Sequence, residues 1–150
     1  MRSLVPALSI LAALLLAACA SKGPTDREAA ALARYEAAAG APVDGFRFFR
    51  LQGFTVLGDQ ALAVWTGPGE AWLLRVDAPC SELRWAPAIG LSAHFGQVSA
   101  RFDRVVAGRD RCRITEIRPI DTAALRQAER ASRAAVQVLQ RESADQDSGG

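Results

Sequence analysis

The residues with chemistry to offer are few: three cysteines, a single histidine and three tryptophans. A cysteine sulfur can be acylated, oxidised to a disulfide or bound to a metal, so Cys19, Cys80 and Cys112 each carry three readings until their surroundings are known. His94 stands two residues after Ser92, a spacing at which a turn could join a hydroxyl nucleophile to an imidazole base. The glycine-flanked nucleophile elbow is missing and no orienting acid adjoins them. A hydrolase built on Ser92 and His94 therefore competes with a plain solvent-exposed loop histidine, which is the preferred reading. Glu70 with Asp77, or Asp59 with Asp103, could share acid–base work only if folding brings them together; carboxylates at strand ends more commonly cap turns or pair with arginine. Trp65, Trp72 and Trp85 would form an aromatic platform for a glycan or a partner's side chain if the first two faced each other across a hairpin. Their other role, core packing, is preferred because each ring would bury 150 Å² or more, about the area expected of a large aromatic. Arg109, Arg111, Arg113 and Arg118 trace a basic strip, but Asp110 and Glu116 interleave with it, so a solvated, salt-bridged face is expected. No glycine pattern resembles a phosphate cradle, and two cysteines with one distant histidine lack compact metal-ligand spacing. No cofactor and no metal is expected.

The segment that must deliver these residues to their compartment comes first. Met1-Arg2 supplies one positive charge, residues 4–16 are almost wholly apolar, and Ala17-Ala18 precede Cys19. This is the three-part plan of a secretory signal. Leu16-Ala17-Ala18-Cys19 resembles the lipobox of bacterial lipoproteins, which implies cleavage after residue 18, a diacylglyceryl group on the Cys19 sulfur and acylation of the new amino terminus by a palmitate-class chain. A membrane-spanning helix is a poor alternative: about 20 apolar residues are needed, and residues 4–18 would reach only about 22 Å. An ordinary signal peptide with an incidental cysteine, or a buried core helix, fits the flanking residues less well. Two lipid signals already hold a protein stably on a membrane.

Once residues 1–18 are removed, one domain's length remains. Of 18 basic residues only Arg2 is lost, leaving 17 against 16 acidic ones, a charge of +1. So nearly neutral a chain is not expected to bind nucleic acid. With Cys19 consumed by lipid, Cys80 and Cys112 are an even pair in an oxidising space. A disulfide is the simplest reading; free thiols and a metal site remain the alternatives.

Residues 19–24 are small and turn-forming, a tether reaching about 20 Å. Thr25 and Glu28 have capping-box spacing ahead of an alanine-rich helix that ends near Gly40, with Ala29, Leu32, Ala33, Glu36 and Ala39 as a thin apolar stripe. Strand-like alternation follows from Phe46. Residues 61–66 and 71–76 flank Gly67-Pro68-Gly69 as a hairpin, with Trp72, Leu74 and Val76 on one side and Ala71, Leu73 and Arg75 on the other. The segment 85–91, interrupted by Pro87 and Gly90, reads as irregular or edge. Residues 97–103 alternate, predicting Val98, Ala100 and Phe102 inward and Asp103 outward. Residues 111–118 form the last strand, where Ile114 and Ile117 differ in parity, a sign of a bulge or of burial on both faces. Ile120, Asp121 and Leu125 open a second helix with hydrophobic-staple spacing, whose inward stripe is Leu125, Ala128, Ala135, Val138 and Leu139. Residues 25–142 are thus expected to form one α+β domain, a mostly antiparallel sheet or small barrel of about six strands with a helix at each end. Residues 143–150 are expected to be a disordered tail.

Leu57-Gly58-Asp59, Glu70-Ala71-Trp72-Leu73-Leu74, Ala78-Pro79-Cys80, Ala86-Pro87-Ala88-Ile89, Arg101-Phe102-Asp103, Cys112-Arg113-Ile114 and Ile117-Arg118-Pro119 resemble an uncharacterised family of small proteobacterial envelope proteins. The resemblance covers residues 41–125. It implies an exported, often lipid-anchored setting and supplies no catalytic residues. With a Gram-negative source, Ala20 after the lipidated cysteine, in place of aspartate, implies the outer membrane, with the domain facing the periplasm. The expected function is a non-enzymatic binding or structural module for an envelope protein or cell-wall partner, held to the membrane through acylated Cys19. The alternatives are the Ser92/His94 hydrolase and an inhibitor of envelope hydrolases.

Overall fold

A computed structural model describes the backbone of residues 26–147 and the side chains of residues 26–141. Cys19, the signal segment, the tether and Thr25 lie outside the described residues. The elements are α1 (Asp26–Ala37), β1 (Gly45–Arg47), β2 (Gly53–Val56), β3 (Ala61–Gly67), β4 (Glu70–Val76), a 3-10 turn (Leu83–Trp85), β5 (Ile89–Leu91), β6 (Gln97–Ser99), β7 (Arg104–Ala107), β8 (Asp110–Ile120) and α2 (Thr122–Asp147). Six strands form an antiparallel sheet in the order β2-β3-β4-β8-β7-β5, nearly barrel-shaped, and β1 pairs with β6 as a separate ribbon. The α+β expectation and its two flanking helices hold.

The pleat sends alternate residues of β3 and β4 into two different cores. Leu62, Val64, Leu74 and Val76 join Phe46, Leu83, Val98, Val105 and Ile117 on the concave side. Ala61, Ala63, Ala71 and Leu73 meet Tyr35, Ala38, Ile120 and Leu125 on the helix side. Three alanines on that second face let the helices lie close to the sheet. The hairpin strand β4 is covered on both faces, as its two-sided apolar pattern predicts. The docking face of α1 differs from the predicted stripe. Tyr35 and Ala38 are buried, with Ala31 and Leu32 beside them, while Ala29 and Ala33 are exposed. Glu36 turns instead to Arg75 of β4. Arg84, on the 3-10 turn, binds Glu28 of α1 at 2.9 and 3.0 Å and Asp59 at 2.7 Å, clamping three segments. The hydrogen bond to Asp59 is the main reason its guanidinium is held above the ordinary range, with burial opposing.

β8 joins the two halves of the sheet. Its first part pairs with β7 and its second with β4, and the register slips between the Arg75–Glu116 and Val76–Ile114 pairs. That bulge changes the parity, so Ile114 and Ile117 both point into the same core. Cys112 lies in β8 and is bonded to Cys80, with Cα atoms 5.7 Å apart.

Three expectations need correcting. The alternation over 97–103 stops at Ser99, because Arg101 adopts φ 71°. This left-handed residue reverses the parity, so Asp103 is buried and Phe102 is exposed. The tail expected to begin at Ser143 is helical backbone as far as Asp147; residues 143–147 contain neither glycine nor proline to stop the helix. Finally, only the start of α2 docks. Asp121 caps it, accepting from Ala123 and Ala124 N–H at 2.9 and 3.0 Å, and Ile120 and Leu125 form the staple. Beyond that, Ala135, Val138 and Leu139 lie in solvent, because the sheet face they would have covered is already filled by α1.

Candidate functional site

The β1–β6 ribbon builds the most distinctive surface. Gly45 faces Ser99 and Phe46 faces Val98, and the strands approach so closely that a Cβ at Gly45 would lie 2.2 Å from the Val98 carbonyl oxygen. Just before β6, His94 and Gln97 exchange backbone hydrogen bonds of 3.1 and 3.0 Å around Phe95 and Gly96. Those two central residues have φ 53° and 72°, the positive pair of a tight type I′ hairpin turn. Glycine takes such a conformation freely; a bulky phenylalanine does so at a cost. The turn is fastened from the other side by Phe48 N–H, which donates to the Gly96 carbonyl at 2.9 Å.

This framework holds two phenylalanine rings in water. Phe95 and Phe49 are fully exposed, and both rim an open groove of about 600 Å³ whose floor and far wall are Phe48, Arg47, Thr66 and Glu70. Exposing two large rings, one of them from a backbone conformation it disfavours, does nothing for folding. Such features mark interaction sites. A second groove of about 490 Å³ lies across β6, between Asp44, Arg101, Phe102 and Glu116. Its lining is mixed in charge, and Phe102 projects beside it. The segments flanking this ribbon thus present three exposed phenylalanines beside the two depressions.

Ser92 and His94 do meet an acid, in an order that differs from a catalytic triad. Asp103, 4% exposed, accepts from Ser92 Oγ at 3.0 Å and from Ser99 N–H at 2.7 Å. Ser92 Oγ in turn accepts from Arg104 N–H at 2.8 Å. His94 Nδ1 stands 3.7 Å from the same carboxylate, its side chain 88% exposed. A triad needs the imidazole between hydroxyl and carboxylate. Here the carboxylate sits in the middle, and the hydroxyl is held by a backbone donor. The cluster braces the Ser99–Arg104 turn against β5.

The remaining predicted residues are dispersed. Trp65 pairs with Ala71 and Trp72 with Val64, so the two indoles lie on opposite faces of the sheet. They cannot form a shared platform. Trp72 stacks on Phe46 with centroids 4.8 Å apart and 11° between planes, and its Nε1–H donates to Thr66 Oγ1 at 3.3 Å. Trp65 packs toward the helix-side core, and Trp85 is 79% exposed on the 3-10 turn. Glu70 and Asp77 bracket opposite ends of β4. Asp77 binds Arg113, Asp59 binds Arg84 and Glu82 meets Arg109. Arg118 donates to the carbonyls of Ala39 and Gly40. Most of the predicted arginine strip is thereby engaged locally. Asp110 lies within 4.8 Å of both disulfide sulfurs, but its carboxylate accepts from Glu82 N–H at 2.9 Å and the sulfurs are bonded to each other.

The phenylalanine groove was not found by sequence reasoning, which gave its attention to the rarer tryptophans. A signal was present: Phe95-Gly96 between His94 and Gln97 is a two-residue turn with glycine at its second position. An apolar ring at the first position of such a turn has no interior to enter.

The family model described as a family of unknown function (DUF6491) matches residues 1–136. No curated protein and no solved structure matches the chain.

Proposed function

We propose that this chain, which belongs to that family of unknown function, is an envelope lipoprotein that binds an apolar segment of another envelope protein through the Phe49–Phe95 groove. The observation that carries the binding half is the pair of fully exposed rings, Phe95 on a type I′ turn and Phe49 next to Phe48, whose backbone N–H fastens that turn. Aromatic side chains with few rotamers give contact area at little entropic cost, and their pre-set orientation lowers the cost of association. Arg47 and Glu70 at the groove would set the orientation of a bound segment.

The address rests on the signal and lipobox pattern ending at Cys19, with outer-membrane retention following from Ala20 in a Gram-negative host. The Cys80–Cys112 bond agrees with an oxidising compartment. Anchoring would confine the domain near the bilayer, where even a modest groove affinity is amplified by high effective concentration.

The address is tested by mass spectrometry of the protein extracted from membranes. The expected species begins at Cys19 and carries acyl chains, and Cys19→Ser abolishes membrane retention; a protein that keeps Met1 refutes it. The groove is tested by cross-linking the envelope of cells producing Phe49→Ala/Phe95→Ala. A captured protein partner should fall about tenfold, the loss of one good aromatic contact, with thermal stability unchanged. Equal capture by both proteins, or capture of wall fragments alone, refutes the groove as a protein site.

A further inference from the structure

A short stretch of β8 is framed by backbone hydrogen bonds. The Ile117 carbonyl accepts from Val43 N–H at 2.8 Å and the Ile114 carbonyl from Arg101 N–H at 2.6 Å. The two flanking segments are tied to each other by Ala100 N–H, which donates to the Asp44 carbonyl at 2.8 Å. Between Ile114 and Ile117 the register of β8 slips, with Thr115 as the extra residue. This ring of three segments borders the groove of about 490 Å³ beside Phe102, a volume within the usual range of small-molecule sites. Because the backbone sets its shape, little ordering is left for a ligand to impose.

Opposite charges line the groove without cancelling. Asp44, Arg101 and Glu116 all belong to its lining, yet none of the ion pairs among the described residues includes any of them. Elsewhere the same fold pairs such groups closely, as Arg84 with Glu28 and Asp59 and Arg113 with Asp77. Arg101 also holds φ 71°, which glycine would take without strain and arginine takes at a cost. Strain of this kind concentrates at ligand clamps, and what arginine adds over glycine here is its guanidinium. Ser99 and Thr115 bring hydroxyls to the lining, and Phe102, 83% exposed, brings apolar area.

We propose that this frame binds a small diamino acid, a molecule with one carboxylate and two ammonium groups. One guanidinium against two carboxylates is the complement of that charge set. The ligand carboxylate meets Arg101, whose planar fork suits it, and the ammonium groups meet Asp44 and Glu116. Phe102 covers the methylenes between them. None of these residues belongs to the Phe49–Phe95 groove, so the inference stands apart from the proposed protein site and from the lipid anchor.

The test is amide-resolved NMR of the full chain in detergent micelles, titrated with L-lysine. At about 10 mM, enough to detect a Kd near 1 mM, shifts should appear at residues 43–44, 99–102 and 114–117 and leave Phe95 and Gly96 unmoved. Cadaverine, which lacks the carboxylate, and norleucine, which lacks the second amine, should each bind about tenfold more weakly, the loss of one charge-assisted contact. Arg101→Gly keeps the left-handed backbone, so it should fold at least as stably as wild type and bind lysine about tenfold more weakly. Asp44→Asn should weaken binding similarly, and Phe95→Ala should leave it unchanged. No shifts with lysine, shifts centred on the Phe49–Phe95 groove, cadaverine or norleucine binding as tightly as lysine, or a folded Arg101→Gly that binds like wild type would each overturn the proposal.

Discussion

Replacing Cys80 and Cys112 together by alanine should cost the domain about 3.7 kcal/mol. The figure follows from the sequence separation of 32 residues: the unfolded chain regains about 12 cal/mol/K of loop entropy when the link is cut. Two further effects act around it. Both cysteines are 2% exposed, so deleting each sulfur also removes buried apolar contact, adding about 1 kcal/mol per site. Relaxation of the unfolded ensemble works the other way, and loop entropy remains the larger part. For a domain of this size the sum corresponds to a fall in Tm of roughly 10–20 °C. Urea denaturation of wild type, with and without reductant, and of the double variant measures it directly. The reduced wild type should approach the variant, and thiol titration of the denatured, unreduced protein should find neither residue free. A double variant within 1 kcal/mol of wild type with an unchanged m value would refute the reasoning. It would mean that β8, already paired with β4 and β7, holds the halves together without the covalent link.

Trp72→Ala should destabilise by about 3–5 kcal/mol, since it removes the ring stacked on Phe46, while Trp85→Ala on the exposed 3-10 turn should stay within about 0.5 kcal/mol; denaturant titration of the two separates them. Gly45→Ala should cost about 1–3 kcal/mol, because its Cβ would meet the Val98 carbonyl oxygen at 2.2 Å and only separation of β1 from β6 relieves it. Faster amide exchange at Phe48 would show that separation. Asp103→Ala should cost about 2–4 kcal/mol, leaving Ser92 Oγ and Ser99 N–H without their acceptor, and His94→Ala should be nearly neutral. A large His94 effect on stability would contradict the brace described for this turn.

Much of the architecture could be read from the chain because it follows from period and punctuation. The two-sided apolar pattern of β4, the Gly67-Pro68-Gly69 hairpin, the parity change in β8 and the staple around Asp121 are all local signals, and each appears in the fold. What stayed hidden depends on one residue's backbone or on competition for a surface. Arg101 bears no mark that it adopts φ 71°, yet that single angle exchanges the fates of Phe102 and Asp103. Asp103 became the acid shared by Ser92 and His94 only through that reversal. The tryptophans drew attention by rarity, but register decides faces: one residue of offset separates Trp65 from Trp72 across the sheet.

The stripe on α2 shows the same limit more sharply. Leu125, Ala128, Ala135, Val138 and Leu139 have the spacing of a buried face, and periodicity alone assigns that face to the domain's own core. The helix-side sheet surface is finite, however, and α1 reaches it first with Tyr35, Ala38 and Leu32. Once that space is filled, an apolar period on a later helix specifies burial without saying against what.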